Sequence, residues 1–153
     1  MNFADSLTIK AAAPRVWDAL LDVNTVAGCM PGVEEVIQVD ERTFDGVINA
    51  SVGPISGRFA FRAHILESDP PREMVAEVVG TDSVTKSTVT QRLVVTLEAI
   101  SAEETTLSYR ATVDIKGRLA ILGEMVLRAT ATLIVEEATK RLRQQIEANV
   151  APA

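Results

Sequence analysis

The strongest constraint in this chain is one long helical stretch placed after a run of strands. From about Leu119 to Ala148 there is no proline and no glycine apart from Gly123, whereas the segment from Phe44 onward alternates apolar and polar side chains between turn signals. A period of two puts alternate side chains on opposite faces of a strand, and a period of 3.6 makes a helix. Successive strands with one apolar face imply an antiparallel sheet with one solvated side. A curved sheet of that kind can wrap a helix and leave a space between the two. The expected class is therefore α+β: a curved antiparallel sheet around a long C-terminal helix, with two short helices after the first strand, in a single domain over residues 1–153. The space between sheet and helix, rather than any catalytic group, is where function is expected.

The local signals run in that order. Phe3 to Ile9 alternate and read as the first strand. Ala13-Pro14-Arg15-Val16-Trp17 opens a helix, because proline suits a first turn whose N–H has no intrahelical partner. Val16, Leu20 and Val23 recur at helical spacing, with Trp17 and Leu21 beside them. A second helical turn is expected over Thr25 to Cys29, stopped by Pro31-Gly32. Strands follow, with Phe44 to Val52 joined to Ile55 to Ile65 by a tight hairpin at Gly53-Pro54. After the Asp69-Pro70-Pro71 turn come Met74 to Gly80, Val89 to Leu97 and Leu107 to Ile115. The apolar phase is rich in small residues: Gly46, Ala50, Gly57, Ala63, Ala76, Gly80 and Ala111. Two readings stand, glycines that bend the sheet or a cavity lined by apolar groups.

At about 100° per residue the last helix carries two stripes. Leu119, Leu122, Val126, Ala129 and Leu133 form one that ends halfway, and Ala120, Leu127, Ala131, Ile134, Ala138 and Leu142 form another that runs nearly to the end. Glu124 and Arg128, four apart, can pair on an exposed strip. The first stripe is expected either to be buried between the sheet and the N-terminal helices or to meet a partner protein, a membrane surface or a ligand. Ligand or partner contact is thus expected before Ile134, and a contribution mainly to stability after Ala138.

Composition excludes several classes. A net charge of -6 and a pI near 4.8 argue against nucleic acid, which calls for a basic stripe, and against simple electrostatic adhesion to anionic lipid. Cys29 is the sole cysteine and His64 the sole histidine, the latter on the polar phase of its strand, so no metal site and no disulfide are expected. Cys29 reads as a buried small hydrophobe. Arg58, Arg62 and Arg110 fall on the outer sheet face, where pairing with acids across strands is expected. Glu34-Glu35 and Glu136-Glu137 are sequence neighbours and make poor carboxylate dyads. There is no phosphate loop, dinucleotide fingerprint or serine elbow, and no cofactor is expected. The first residues lack a signal-peptide pattern, and no apolar run approaches the ~18 residues of a membrane span, so the expected compartment is the cytoplasm.

Three spaced segments carry a family resemblance. Cys29-Met30-Pro31-Gly32-Val33-Glu34, Val52-Gly53-Pro54-Ile55-Ser56-Gly57-Arg58-Phe59 and Gly117-Arg118-Leu119-Ala120-Ile121-Leu122-Gly123 are similar to the carbon monoxide dehydrogenase G-subunit family. The order of elements resembles the helix-grip fold of the START and birch-pollen-allergen superfamily (SRPBCC). The resemblance implies a non-catalytic accessory protein of a carbon monoxide dehydrogenase-type molybdenum hydroxylase, which binds a quinone or lipid in an internal cavity and aids recruitment to the inner face of the membrane. Family members often carry an apolar tail after the last helix. This sequence ends at Ala151-Pro152-Ala153, so attachment through such a tail is not expected, and two alternatives stand: the protein stays soluble, or it uses a helix surface.

The residues expected to contact an apolar ligand are the inward-facing Phe59, Phe61, Val78, Val89, Tyr109, Val113, Leu122 and Val126. The aromatic rings supply most of the contact area, and Tyr109 adds one polar handle. A cyclase or dehydratase of the same superfamily is the alternative. It would need acid/base groups in the cavity, for which Tyr109, Gln91 and Ser87 are the candidates. The sequence leaves a homodimer open.

Overall fold

The computed structural model describes residues 1–52 and 55–148. In chain order the elements are β1 (Asn2–Ile9), α1 (Ala13–Leu21), α2 (Val23–Cys29), β2 (Val33–Asp40), β3 (Thr43–Val52), β4 (Ile55–Asp69), β5 (Glu73–Asp82), β6 (Ser87–Ala99), β7 (Thr105–Lys116), a 3-10 helix (Arg118–Leu122) and α3 (Glu124–Ala148). The strands form one antiparallel sheet in the order β1-β7-β6-β5-β4-β3-β2. Strands β2 to β7 are a meander. The first strand pairs with the last, from Asn2 opposite Thr112 to Ile9 opposite Thr105, and α1 and α2 carry the chain across to the far edge. The expected Gly53-Pro54 turn lies outside the described residues; the strands it joins pair from Val52 opposite Ile55 to Thr43 opposite His64.

Local chemistry accounts for the short helices. Pro14 stands in the first turn of α1, which buries Ala13, Val16 and Trp17. The Asp22 carboxylate caps α2, accepting the N–H groups of Asn24 at 2.8 Å and Thr25 at 3.3 Å. The second helix therefore starts before the expected Thr25. A bulge between Ile65 and Glu67 interrupts the pairing of β4 with β5, a device that bends a strand.

Two elements differ from expectation. β2 was not expected, because Val33-Glu34-Glu35-Val36-Ile37-Gln38-Val39 has apolar residues in both phases. It is an edge strand with register shifts between Val33 and Glu35 and between Gln38 and Asp40, and Ile37 and Val39 stay exposed. The last helix also does not run unbroken from Leu119. Gly117 (φ 93°) and Gly123 (φ 86°) bracket a separate 3-10 turn, and α3 begins at Glu124. Positive φ is a region that glycine enters without steric cost.

The core falls into two parts. The larger gathers Ile9, Val16, Trp17, Phe44, Ile65, Met74, Val95, Leu97, Leu107 and Ile146, with Leu142 packed against it. The smaller joins Phe59, Leu119 and Leu127, with Ile48, Val89, Ile115 and Leu122 around them.

Candidate functional site

The helix α3 bridges these two clusters. Leu127 anchors it in the smaller one, and Leu142 and Ile146 anchor it in the larger. Leu142 stands fifteen positions after Leu127, about 22 Å along the helix at 1.5 Å per residue. The inward stripe there consists of Ala131, Ile134, Val135 and Ala138, all half-buried, and Leu127 and Ile146 are the buried residues of the whole helix. On the inner face of the sheet Phe61, Val78, Gln91 and Val113 are likewise half-buried. Pairing places Val78 beside Gln91 and Gln91 beside Val113, a row across the central strands β5, β6 and β7. These residues belong to neither cluster. A helix held at both ends and incompletely packed in the middle leaves room over a concave sheet.

The expected contact residues distribute unevenly. Phe59, Val89 and Leu122 come together in the smaller cluster, while Tyr109 packs on the larger. Phe61, Val78 and Val113 lie between. Val126 is exposed. Opposite them the structure adds Ala131, Ile134 and Ala138, all from the longer stripe, together with Val135.

Two of the inner-face glycines lie against aromatic rings. A Cβ on Gly46 would stand 2.5 Å from Cζ of Phe61 and 2.5 Å from the carbonyl oxygen of Glu35, and one on Gly57 would stand 2.7 Å from the Phe59 ring. Gly46 and Gly57 thus make room for the two phenyl rings, so part of the small-residue space is filled by aromatic side chains.

Two open depressions flank α3. One, of about 440 Å³, is lined by Pro31, Gly32, Asn49, Ala50, Ser51, Thr130, Leu133 and Ile134. The other, of about 370 Å³, lies between β1 and the helix and is lined by Leu7, Glu136, Thr139, Lys140, Arg143 and Gln144. None of the expected contact residues lines either. Ala50 is an inner-face position of β3 and Ile134 a half-buried position of α3, so the first depression lies at the margin of the space between sheet and helix.

The first stripe is not buried as a unit. Leu119 is buried in the smaller cluster, but Val126, Ala129 and Leu133 face outward, Leu133 at 67% exposure. Ile121 and Met125 are more exposed still, at 81% and 86%. Glu124 and Arg128 pair at 3.5 Å, and Arg128 also stacks over the Phe3 ring at 5.0 Å.

The acid/base candidates are poorly disposed for catalysis. Ser87 is buried, its hydroxyl oxygen accepting the Leu119 N–H at 3.0 Å and lying 2.9 Å from that of Thr85. Burial, and then the carboxylates of Asp5 and Glu136, push the Tyr109 phenol above its ordinary value, so it holds its proton at neutral pH. Burial likewise pushes the Cys29 thiol up, against the opposing charge of Arg141. His64 is exposed, and its Nδ1 lies 3.0 Å from the Thr43 hydroxyl. Arg58 pairs with Glu34 at 2.9 Å and Arg62 with Asp45 at 2.7 Å. Among the described residues no cluster of His, Cys, Asp and Glu could hold a metal ion.

A curved seven-stranded antiparallel sheet gripping a long C-terminal helix over a partly open interior defines the helix-grip, START-like class of fold. Solved structures share it. A conserved protein from Geobacillus kaustophilus matches with a TM-score of 0.87 at 21% identity, covering 95% of each chain. A START superfamily protein from Mycobacterium smegmatis matches at 0.73 and 12% identity, covering 96% of this chain and 97% of that one. The Zhui aromatase/cyclase from Streptomyces sp. R1128 matches at 0.70 and 17%, covering 99% and 96%. Likeness at these identities carries the fold alone. The model of the carbon monoxide dehydrogenase G-subunit (CoxG) family matches residues 6–147, and the chain belongs to that family. No curated protein matches the sequence.

Proposed function

We propose that this protein holds an apolar small molecule, a quinone or a lipid, between its sheet and α3, as a non-catalytic accessory to a carbon monoxide dehydrogenase-type molybdenum hydroxylase. The divided core is the observation that carries the reading: a long helix is fixed at both ends and stands over half-buried apolar residues on the central strands. Pockets for small molecules are concave and mostly apolar, with few polar groups, and the row of Val78, Gln91 and Val113, with Phe61 on the neighbouring strand, has that character. Membership of the CoxG family supports the choice of partner enzyme. Peripheral membrane contact would use Ile121 on the 3-10 helix and Met125 at the start of α3, both large apolar side chains that are exposed. Among the described residues no helix is long and apolar enough to cross a membrane. The cyclase alternative is less favoured, because Ser87 is engaged with the Leu119 N–H and the Tyr109 phenol is a poor base at neutral pH.

One experiment tests ligand and membrane contact together. The protein is incubated with phosphatidylcholine vesicles doped with a long-chain quinone, freed of them by flotation, and examined by native mass spectrometry. The expected result is one quinone or lipid per chain. The double substitution Ile121→Ser, Met125→Ser should slow loading from vesicles while leaving binding of quinone added from ethanol unchanged. A wild-type chain that never carries an apolar molecule, from either source, sinks the reading.

A further inference from the structure

Charge is distributed unequally between the two faces of the sheet. Arg58, Arg62, His64, Arg92, Arg110 and Lys116 all occupy the outer phase of their strands. The inner phase of the seven strands holds no Lys, Arg or His; its charged residues are Asp5, opposite Tyr109, and Asp82. Asp82 is occupied by the Val84 N–H at 2.9 Å and the Thr85 hydroxyl at 3.0 Å. The cations of α3 are directed elsewhere. Arg128 and Arg143 donate to the carbonyls of Asn2 and Thr8, each at 3.1 Å, Arg141 pairs with Glu137 at 2.9 Å, and Lys140 lines the outer depression beside β1. Within the apolar row stands one amide, that of Gln91, between Val78 on one side and Val113 on the other. Its side chain makes no hydrogen bond to any described residue and keeps part of its surface accessible.

A polar group on a concave apolar face needs a partner once water leaves. We infer that Gln91 is the polar anchor of the ligand site, and that the site takes a neutral molecule with a carbonyl or hydroxyl group on an apolar body while rejecting carboxylates and phosphates. The inference rests on the ligand-holding reading above. The amide offers both a donor and an acceptor, so it matches a ketone, quinone oxygen or alcohol. Among the described residues the cation tied to this row is the Met1 ammonium, and it is engaged with the Val113 carbonyl at 2.8 Å, so a carboxylate beside Gln91 would meet an amide and no free counter-charge. An ionised group taken from water without a counter-charge is strongly disfavoured.

The test uses ligands that share one chain length. Nile red, a neutral dye, reports occupancy of the full-length protein, and 2-hexadecanone, hexadecanol and hexadecanoic acid compete with it at pH 8, each below its aggregation limit. The ketone and alcohol should displace the dye at least ~10-fold better than the acid. Gln91→Leu, of similar volume, should weaken the ketone by ~3- to 10-fold, the worth of one hydrogen bond, after correction for the dye affinity of the same variant measured by direct titration. Gln91→Lys, which supplies the missing cation, should bring the acid to parity or better, so the inference remains testable even if the leucine variant folds poorly. Dye binding with equal competition by acid and ketone, or with a ketone affinity unmoved by Gln91→Leu, overturns the Gln91 assignment and leaves the ligand-holding reading intact. Failure of the dye and of all three competitors to bind overturns both.

Discussion

Ser87 shows how much of this architecture hangs on single polar atoms. It is 1% exposed, and its hydroxyl oxygen receives the Leu119 N–H at 3.0 Å. On its other side the Thr85 hydroxyl lies 2.9 Å away and itself donates to Asp82 at 3.0 Å. This short chain ties the β5–β6 turn to the first turn of the 3-10 helix. Gly117 is required beside it, since at φ 93° a Cβ would collide with the backbone carbonyl of Lys86. Leu119 is thereby held in the cluster of Phe59 and Leu127 that closes one end of the interior. Ser87→Ala would leave a buried N–H without an acceptor. The expected cost is about 1–3 kcal/mol, read as a lower urea midpoint at unchanged slope. A shift below about 0.5 kcal/mol, the range of ordinary surface substitutions, would mean that the contact holds nothing.

The divided core makes α3 uneven along its length. Leu127 and Ile146 are buried in opposite clusters, whereas Ile134 and Val135 between them are half-buried. Truncation of a buried Leu or Ile to Ala typically costs about 2–5 kcal/mol, because a cavity is added to the lost transfer energy. Leu127→Ala and Ile146→Ala should fall in that range in the ligand-free protein. Ile134→Ala removes atoms that already face space, and should cost about 1 kcal/mol or less. Equal losses at Ile134 and Ile146, measured by urea unfolding, would mean that the middle of the helix is packed and the space filled. Much of this element could be read from its residues. The inward stripe of Leu127, Ala131, Ile134, Ala138 and Leu142 follows from its spacing, and so does the Glu124–Arg128 pair at 3.5 Å. The break at Gly123 could not, because a lone glycine is tolerated in a helix and only its φ of 86° ends one here. β2 escaped for a different reason: at a bulged edge with apolar residues in both phases, alternation carries no signal. The candidate site was legible as a face but not as a place. Phase assigns Phe59 and Phe61 to the same side, yet only the register with Gly46, Gly57 and Gly80 decides that one ring joins a cluster and the other stands beside the gap.

Electrostatics gives the whole molecule a predictable response to acid. The bidentate Arg62–Asp45 pair, with contacts of 2.7 and 2.8 Å, lies across β3 and β4, while Glu34 on β2 accepts from Asn49 at 2.6 Å and from Arg58 at 2.9 Å. Hydrogen bonds from Arg58 and Asn49 hold the Glu34 carboxyl below its ordinary value of 4.5, and the bond from Arg62 holds Asp45 below 3.8. The Arg42 N–H does the same for Asp40 at the end of β2, and the Val84 N–H for Asp82. A carboxyl whose pKa is lower in the folded chain than in the unfolded one binds fewer protons when folded. Its contribution is therefore fully present above the unfolded value and fades as pH falls through the lowered one. Stability should stay nearly level in this respect down to about pH 5 and decline below 4.5 and 3.8. Three of the four groups sit along the β2–β3–β4 side, which borders the depression at Pro31, Gly32 and Asn49, so that edge should loosen first. Exposed pairs are weak and screened by salt. The decline should therefore be modest and shallower in ~0.5 M salt. The measurement is the urea midpoint from pH 7 to pH 3 for the wild type and for Glu34→Gln, Asp45→Asn, with amide exchange on β2 reporting where opening begins. The double variant should start lower at pH 7 and lose less on acidification. An acid limb identical to that of the wild type would show that these contacts do not tie the edge strand to the sheet.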